Sequence, residues 1–410
     1  MIELNIEEKE KKKIGASLKV IGIGGGGCNA VNSMITSGQL DCVDFIVANT
    51  DAQSLECSKA ENKIQIGSKI TKGLGAGSDP EIGRRAAEED IESVLKHISD
   101  ADILFLTSGL GGGTGSGALP VVARAAREAG VLSVAVVTKP FLFEGKRRMM
   151  LADESISSLR DVVDTFIIVP NEKLLEISDP NISMLDAFAM ANEILLQAIS
   201  GIANIITRPG HINVDFADVR SVMKDMGMAI MGTGQCSGEG RAKEAVMRAI
   251  NSPLLETVGI EGAKGVLLNI TGNTDLGLKE IHEAAKVIYD SVSEDANIIL
   301  GSVIDPNMGD ELMVTVIATG FDEARTDVSK VVAASKADQP KADVAIQREV
   351  PKPDDVGRLD ESASYVDEPK FEAASEKKEA PDLSDNFDLD DIDTPAFLRK
   401  KAEEESESNL

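Results

Sequence analysis

The sequence predicts an α/β protein built on a parallel sheet, followed by a second α/β region and a long charged tail. Short, nearly continuous apolar runs alternate with segments of helical periodicity, as expected for strands buried on both faces of a sheet. The alternation stops at one long apolar-periodic segment, 184–206, and restarts between residues 213 and 320. Composition then changes near residue 321, after which only one of the 36 glycines occurs.

The first region contains six predicted strands with helical segments between them. Asp79 and Pro80 mark one helix start, because Asp is a favoured N-cap and Pro suits the first helical position. The strands are predicted at 17–24, 43–50, 64–67, 101–109, 131–138 and 165–170, and the helices at 27–37, 80–98 and 114–129.

The second region begins after a long helix, predicted at about 184–206, which closes at Arg208, Pro209 and Gly210. Strands and helices alternate again beyond it, which indicates a smaller α/β domain. The strands are predicted at 228–234, 265–272, 296–303 and 311–320, and the helices near 216–225, 240–251 and 277–292.

The tail from residue 321 carries 25 acidic and 13 basic residues. Its stretch from about 326 to 386 shows no apolar periodicity, which predicts a disordered linker. Apolar side chains return near the end among acidic ones, which is typical of a partner-binding peptide on a tether, although a solvated tail could also carry them. The predicted organisation is an extension at 1–16, an α/β domain at 17–183, a central helix at 184–209, a second α/β domain at 210–320, a linker at 321–386 and a peptide at 387–410.

Composition argues against several classes of protein. The net charge of −27 is unsuited to a nucleic-acid-binding surface, which must neutralise phosphates. Four cysteines without regular spacing predict free thiols in a reducing compartment. The charged start lacks a secretory core, and we expect no membrane span. His97, His211 and His282 lie far apart in the sequence, so we expect them to be structural or solvated rather than metal ligands.

Two glycine-rich loops each follow a predicted strand and open a helix, at 22–29 and 108–117. Glycine lets the backbone approach a ligand closely, and the following helix offers unpaired N–H groups to phosphate. The first loop matches the dinucleotide fingerprint, although a tight structural turn is the alternative. Two such loops at one sheet edge predict a polyphosphate site. The sequence has no GxxxxGK[ST] motif, so it is not a P-loop protein.

Six motifs in order, together with the terminal DIDTPAFLRKKA, carry a resemblance to a known family. The chain resembles the FtsZ family of bacterial tubulin-like cell-division GTPases over about residues 17–320. The resemblance implies a tubulin/FtsZ-like fold, a Rossmann-like nucleotide-binding GTPase domain at 17–183 and head-to-tail filaments. The motifs are GGGGCNA (24–30), NTDAQSL (49–55), TKGLGAGSDP (71–80), GGGTGSG (111–117), KPFLFEGKRR (139–148) and GHINVDFADV (210–219).

The resemblance also implies a set of nucleotide-binding residues. Taken alone, several have simpler explanations: Asp51 as a helix cap, the loop at 73–77 as a flexible connector, and Phe188 as a core residue. Glu193 stands where the family usually has Asp. The implied phosphate contacts are Gly24, Gly25, Gly26, Gly27, Cys28, Asn29, Gly111, Gly112, Gly113, Thr114, Gly115, Ser116 and Gly117. The ribose or phosphate side is implied for Asn49, Thr50 and Asp51, and the neighbourhood of the γ-phosphate for Gly75, Ala76 and Gly77. Contacts to the ribose, phosphates or base are implied for Glu144 and Arg148, and contacts to guanine for Asn171, Phe188, Asn192 and Glu193.

Asp215 and Asp218, with Asn213 before them, are the candidate catalytic residues. Their spacing at a helix start also suits capping and dipole compensation. The long helix places this loop on the order of 30 Å from the nucleotide edge. The resemblance implies that these side chains act on GTP of the neighbouring subunit, so that assembly completes the active site.

The implied cofactors are GTP or GDP and Mg²⁺, the metal being held mainly by phosphates and water rather than by side chains. The implied partners are further copies of the chain and membrane-linked adaptors of the FtsA or ZipA type, bound through residues 387–403. We expect a cytoplasmic protein at the mid-cell division ring, with no nucleic-acid partner and no direct membrane insertion. The rival interpretations are an NAD(P)-dependent oxidoreductase and a GTP-binding scaffold without hydrolysis.

Overall fold

The structure is a computed structural model that describes residues 15–40, 42–208, 210, 212–255 and 259–321. Nearly all of the expected N-terminal extension, the linker beyond residue 321 and the peptide at 387–410 lie outside the described residues. His211 and Pro209 do so as well.

Among the described residues, ten strands form one sheet. They are β1 Leu18–Ile23, β2 Val43–Asn49, β3 Asn62–Gln65, β4 Ile103–Gly109, β5 Leu132–Lys139, β6 Thr165–Pro170, β7 Gly227–Ser237, β8 Gly265–Gly272, β9 Asn297–Ile304 and β10 Glu311–Thr319. Their order across the sheet is β3-β2-β1-β4-β5-β6-β7-β10-β8-β9. The predicted α/β class with a parallel-dominated sheet is confirmed.

The first six strands pair only in parallel, and the sheet continues into the second region. β6 pairs in parallel with β7, from Thr165 opposite Gly227 to Ile167 opposite Ala229. β10 runs antiparallel between β7 and β8, and β8 pairs in parallel with β9. The two expected domains therefore share one continuous sheet.

The helices connect these strands. They are α1 Gly24–Ser37, α2 Ala52–Glu56, α3 Ser68–Thr71, α4 Pro80–Glu89, α5 Ile91–Ile98, α6 Gly113–Glu128, α7 Lys146–Arg160, α8 Asn171–Ile177, α9 Met184–Thr207, α10 Phe216–Met223, α11 Arg241–Ile250 and α12 Leu278–Ser291, with 3₁₀ turns at Leu142–Glu144 and Pro306–Met308.

The single helix expected at 80–98 is two helices, because the chain bends at Asp90. Asp90 has φ −113° and ψ 19°, and its carboxylate accepts a hydrogen bond from Gly67 N at 2.7 Å. This hydrogen bond attaches the Asp90 side chain to the loop before α3, at the residue where the backbone leaves the helical conformation. At the other end of α4 the expected cap is present, since Asp79 accepts from Glu81 N and Pro80 follows it.

The long helix α9 lies at the centre of the fold. Leu196, Ile199 and Ile202 are fully buried and join side chains of the sheet in one apolar cluster. By length and composition this helix could cross a membrane, although polar side chains such as Asp186 and Glu193 interrupt its apolar residues. Of its most apolar window, 61% is buried inside the protein, as in the core helix of a globular domain.

Candidate active site

The two glycine loops lie side by side because the strands before them are neighbours. β1 pairs with β4, with Gly22 opposite Thr107, so α1 and α6 begin at the same sheet edge. A Cβ on Gly24 would lie 2.9 Å from Gly115 N, and one on Gly26 would lie 2.9 Å from Gly109 N. Two helix N-termini with their unpaired N–H groups therefore face the same place.

Gly25 and Gly112 differ from the other glycines that the structure describes. A Cβ at either would meet no protein atom within 4 Å, and neither has a positive φ. Every other described glycine has a positive φ or a neighbouring atom within that distance. The protein fold itself therefore does not require glycine at these two positions, one in each loop, which is the pattern of a backbone cradle for a ligand.

Polar side chains join the second strand to the second glycine loop. Thr50 Oγ1 and Thr114 Oγ1 lie 2.7 Å apart, and both residues are buried. Ser116 Oγ accepts from Gly111 N at 2.8 Å, so this hydroxyl shapes its own loop. Thr50 was expected on the ribose or phosphate side, but its contact with Thr114 joins residues far apart in the chain and was not predicted.

Asn49 and Cys28 lie beneath the first glycine loop. Asn49 Nδ2 donates to Cys28 Sγ at 3.9 Å, and Asn49 Oδ1 accepts from Thr50 N at 2.9 Å. Burial raises the pKa of the Cys28 thiol above its ordinary value, so the thiol stays neutral. Asn29, next in α1, is exposed. All four cysteines are free thiols, as expected.

Asp51 is the N-cap of α2, which is the simpler explanation that the sequence offered for this residue. Its Oδ1 accepts from Gln53 N at 3.0 Å at the start of α2. Its backbone forms an isolated bridge with Leu74 in the loop between α3 and α4. Asp51 therefore connects β2 to that loop in addition to capping a helix.

The loop with Gly75, Ala76 and Gly77 lies against both β2 and the second glycine loop. Gly75 N donates to Thr50 O at 3.3 Å, and a Cβ on Gly113 would lie 2.9 Å from Ala76 Cβ. Leu74 at its tip is 86% exposed. The loop is thus placed beside the glycine cradle, with its tip open to solvent.

Glu144 and Arg148 form an ion pair, with Arg148 Nη1 2.7 Å from Glu144 Oε2. The other oxygen of Glu144 accepts from Phe141 N at 3.0 Å. A Cβ on Gly111 would lie 2.7 Å from Arg148 O, so the start of α7 touches the second glycine loop. Neither α7 nor α8 was predicted, because few side chains of either helix are buried and the apolar periodicity is weak.

Asn171 is the first residue of α8, and Phe188 and Asn192 lie one turn apart in the N-terminal half of α9. Phe188 is 36% exposed, and its ring meets Phe141 edge-on at a centroid distance of 5.3 Å. Asn171 is buried, and its Oδ1 has no hydrogen-bond partner among the described residues. A buried acceptor without a partner is costly, so this oxygen is open to a hydrogen-bond donor from water or a ligand.

Glu193 is oriented differently from Phe188. Its Oε1 accepts from Gln197 Nε2 at 3.3 Å, and Gln197 Oε1 accepts from Thr233 Oγ1 of β7 at 3.1 Å. Glu193 lies five residues after Phe188, so the two do not share a helix face, whereas Asn192 does. A guanine contact from Glu193 stays a prediction.

The carboxylates of Asp215 and Asp218 lie far from these groups. Both are exposed, and Asp215 Oδ1 caps α10 by accepting from Asp218 N at 2.8 Å. Asn213 Oδ1 accepts from Gly210 N at 2.9 Å and shapes the loop before them. The loop follows the C-terminal end of α9, whose 24 residues span about 36 Å, and about 29 Å of that length lies between Phe188 and Thr207. Within one chain, the structure does not bring these carboxylates to the glycine loops.

The two family models that match are the "Tubulin/FtsZ family, GTPase domain" over residues 17–179 and the "FtsZ family, C-terminal domain" over residues 227–322. The chain is also 48% identical over 392 residues to Cell division protein FtsZ of Coxiella burnetii (strain RSA 493 / Nine Mile phase I), covering 95% of this chain and 97% of that protein. This chain belongs to the FtsZ family. It is a tubulin-like GTPase and a filament-forming cytoskeletal protein of cell division.

Solved structures agree with this assignment. An FtsZ structure described as an empty dimer, from M. jannaschii, has a TM-score of 0.72 at 45% identity and covers 75% of this chain and 89% of that chain. CetZ2 from Haloferax volcanii, a GTPγS-bound protofilament, has a TM-score of 0.65 at 20% identity and covers 78% of this chain and 97% of that chain. At that identity the second likeness shows the fold alone.

Proposed function

We propose that the nucleotide lies on the two glycine loops and that Asp215 and Asp218 act on the GTP of a neighbouring subunit. One observation carries the proposal. The cradle and the two carboxylates lie at opposite ends of a helix about 36 Å long. The distance within one chain is too great for direct action, whereas stacked subunits bring the two ends together.

The phosphates are assigned to the cradle for three reasons. The N-termini of α1 and α6 meet there, and helix N-termini attract anions. Gly25 and Gly112 leave open space that a side chain would fill. The hydroxyls of Thr50 and Thr114 lie beside it. The loop with Gly75 is the candidate sensor of the γ-phosphate, since it is anchored on Thr50 at one end.

The base is assigned to the face formed by Phe188, Asn171 and Asn192. Phe188 has an exposed ring face for stacking, and the unpartnered Asn171 Oδ1 can accept from a guanine N–H donor. Adenine lacks the N1 and N2 donors of guanine, so an acceptor here would discriminate against it. Glu144 and Arg148, between base and phosphates, are assigned to the ribose side.

The carboxylates serve to orient and polarise water rather than to hold phosphate, because like charges repel. Asp215 has one oxygen committed to the cap, and its second oxygen is free to accept from water. A head-to-tail contact that repeats without closing forms a filament, so each added subunit completes one active site. The FtsZ relative solved as a dimer supports such self-association.

Mg²⁺ is the proposed metal, and it would neutralise charge on the phosphates. The described residues include no group of three His, Cys, Asp or Glu side chains that could bind a metal by themselves. The hydroxyls of Thr50 and Thr114 suit a metal whose other ligands are phosphate oxygens and water. The chain itself supplies the cradle and the water-orienting carboxylates.

Two inactive variants are expected to restore each other's activity when they are mixed. Asp215→Ala keeps its nucleotide site but lacks the carboxylate, whereas Gly112→Ala keeps the carboxylate but binds nucleotide weakly. At equal mixing, random pairing gives about a quarter of the interfaces both an intact cradle and an intact loop. Phosphate release should therefore rise from near zero to as much as about a quarter of the wild-type rate.

The measurement is phosphate release with Mg²⁺ and with GTP near the wild-type dissociation constant, so that Gly112→Ala stays largely unloaded, at protein concentrations where the wild type is fully active. The wild type alone should show a threshold concentration, and EDTA should stop release. A mixture that stays inactive would contradict the trans-acting site. Activity of Asp215→Ala by itself would contradict the role of that carboxylate, and a wild type that binds GTP without release would favour the scaffold interpretation.

The terminal peptide is proposed to attach filaments to membrane-linked adaptors, which would place this cytoplasmic protein at the mid-cell division ring. The proposal rests on the sequence alone, in which Pro395, Phe397 and Leu398 are apolar anchors among charged residues within 387–403. A tether lets one filament engage several adaptors at once.

Removal of residues 387–410 is expected to abolish adaptor binding while assembly and GTP turnover stay unchanged. Binding to an adaptor of the FtsA or ZipA type is measured by co-sedimentation with filaments. The control deletes 24 linker residues, 341–364, and keeps the peptide. Loss of assembly in the first variant alone would place the peptide in the polymer contact instead.

A further inference from the structure

Two glutamates from different elements hold the 3₁₀ turn before α7. Phe141 N donates to Glu144 Oε1 at 3.0 Å, and the next amide, Leu142 N, donates to Glu172 Oε2 at 2.9 Å. Glu144 belongs to the turn itself. Glu172 lies in the first turn of α8, so its hydrogen bond is a tertiary contact that fixes the turn relative to another helix.

The turn carries the ring that sets the orientation of Phe188. Phe141 is fully buried, with Phe143 stacked on one side at 5.0 Å and Phe188 edge-on at 5.3 Å with an interplanar angle of 89°. Edge-to-face pairs are directional, because the positive edge of one ring meets the negative face of the other. A shift of the turn therefore changes the plane that Phe188 presents.

Glu172 also follows Asn171 directly, and Asn171 carries the buried acceptor without a partner. Helix α8 thus holds the proposed hydrogen-bond acceptor for the base at one position and the anchor of the aromatic turn at the next. Both proposed contacts to the base, stacking on Phe188 and a hydrogen bond accepted by Asn171, therefore depend on the first turn of α8.

We propose that Glu172 is a positioning residue for guanine recognition. It acts through Leu142 N and Phe141 on the ring plane of Phe188, and it does not itself touch the nucleotide. This inference rests on the proposed stacking of guanine on Phe188. Nothing in the sequence around Glu172 identified it, since its role depends on a contact 30 residues away in the chain.

The test compares Glu172→Ala, which removes the acceptor, with Glu172→Gln, which keeps one. The matched control is Glu176→Ala on the same helix, where the carboxylate only pairs with Lys173. A further variant, Phe141→Leu, breaks the ring contact without removing either glutamate. GDP affinity is measured below the concentration at which assembly begins.

Glu172→Ala is expected to weaken GDP binding about fivefold, the loss of one orienting hydrogen bond. At saturating GDP, the circular dichroism band of the bound guanine should shrink in Glu172→Ala and Phe141→Leu. It should stay at the wild-type value in Glu172→Gln and Glu176→Ala. Because the eleven Phe absorb in the same region, the spectrum of each nucleotide-free variant is subtracted from that of its complex. A merely structural role would not change the band of the saturated complex.

Phe188→Leu distinguishes failure of the positioning role of Glu172 from failure of the proposed base site. If it abolishes the band while Glu172→Ala and Phe141→Leu leave it unchanged, the positioning role is wrong and the base site stands. If Phe188→Leu also leaves the band and the GDP affinity unchanged, guanine does not stack there and the proposed base site fails. A band restored by Glu172→Gln and lost in Glu172→Ala supports the proposal.

Discussion

Gly112→Ala is expected to fold normally and to bind GDP at least about tenfold more weakly than the wild type. The new methyl group would meet no protein atom within 4 Å, and Gly112 has φ −93°, which alanine adopts easily. With phosphates on the loop, the same methyl group enters a close-packed contact, and such insertions cost about 1–3 kcal/mol. Affinity for GDP and the melting temperature of the nucleotide-free protein are the two measurements.

Gly277→Ala is the matched control. Gly277 is also a helix N-cap with an extended backbone, and its nearest atom would be Glu280 Oε2 at 3.6 Å. Alanine in place of a cap glycine costs no more than about 1 kcal/mol, so both variants should melt close to the wild type. Gly113→Ala should instead lower the melting temperature without nucleotide, because its Cβ would lie 2.7 Å from Asp79 N. If Gly112→Ala binds GDP normally, the assignment of the phosphates to this loop is wrong.

The elements that periodicity predicted well are those that bury an apolar face. β8 was predicted at its observed bounds, and α9 within one residue, because nearly every side chain of β8 and one stripe of α9 enter the core. Helices α7 and α8 were missed because most of their side chains face solvent. The break at Asp90 was missed because its cause, a bond to Gly67 N, joins residues far apart in the chain.

In the candidate site, too, local sequence patterns were predictable and tertiary contacts were not. Glycine loops are visible in the sequence because the backbone itself forms the cradle. Whether a given glycine serves the fold or a ligand is not visible, and only the space around Gly25 and Gly112 separates them from their neighbours. The pairing of Thr50 with Thr114 and the anchoring of Leu142 by Glu172 are tertiary contacts, which residue types in sequence do not encode.

Asp218→Asn is expected to lower GTP turnover about 100-fold or more while GTP affinity stays unchanged. A positioned carboxylate that activates water contributes about 10²- to 10⁴-fold, and an amide is a far weaker base. Asp218 is exposed, its side chain has no hydrogen-bond partner among the described residues, and its backbone N–H rather than its carboxylate completes the cap of α10. The substitution therefore changes the chemistry of the loop with little effect on the fold.

Asp215 requires a different substitution, because its carboxylate caps a helix as well as facing solvent. Asp215→Ser keeps an N-cap oxygen for Asp218 N, so loss of turnover in this variant reports the missing carboxylate rather than a frayed helix. Asp305→Ser is the control: Asp305 also caps a short turn and pairs with Arg208 at the end of α9, at the same edge of the molecule. The measurements are single-turnover phosphate release, GTP affinity and melting temperature.

The two proposed roles of the loop predict opposite outcomes for Asp215→Ser. If capping were its only role, the serine variant would keep turnover and only Asp215→Ala would lose it, together with stability. If the carboxylate acts on water, serine and alanine lose turnover alike, and only alanine lowers the melting temperature. Weaker GTP binding in either variant would place the loop near its own nucleotide, which a helix of about 36 Å between them does not allow. The serine variant thus separates local stability from catalysis in the next subunit.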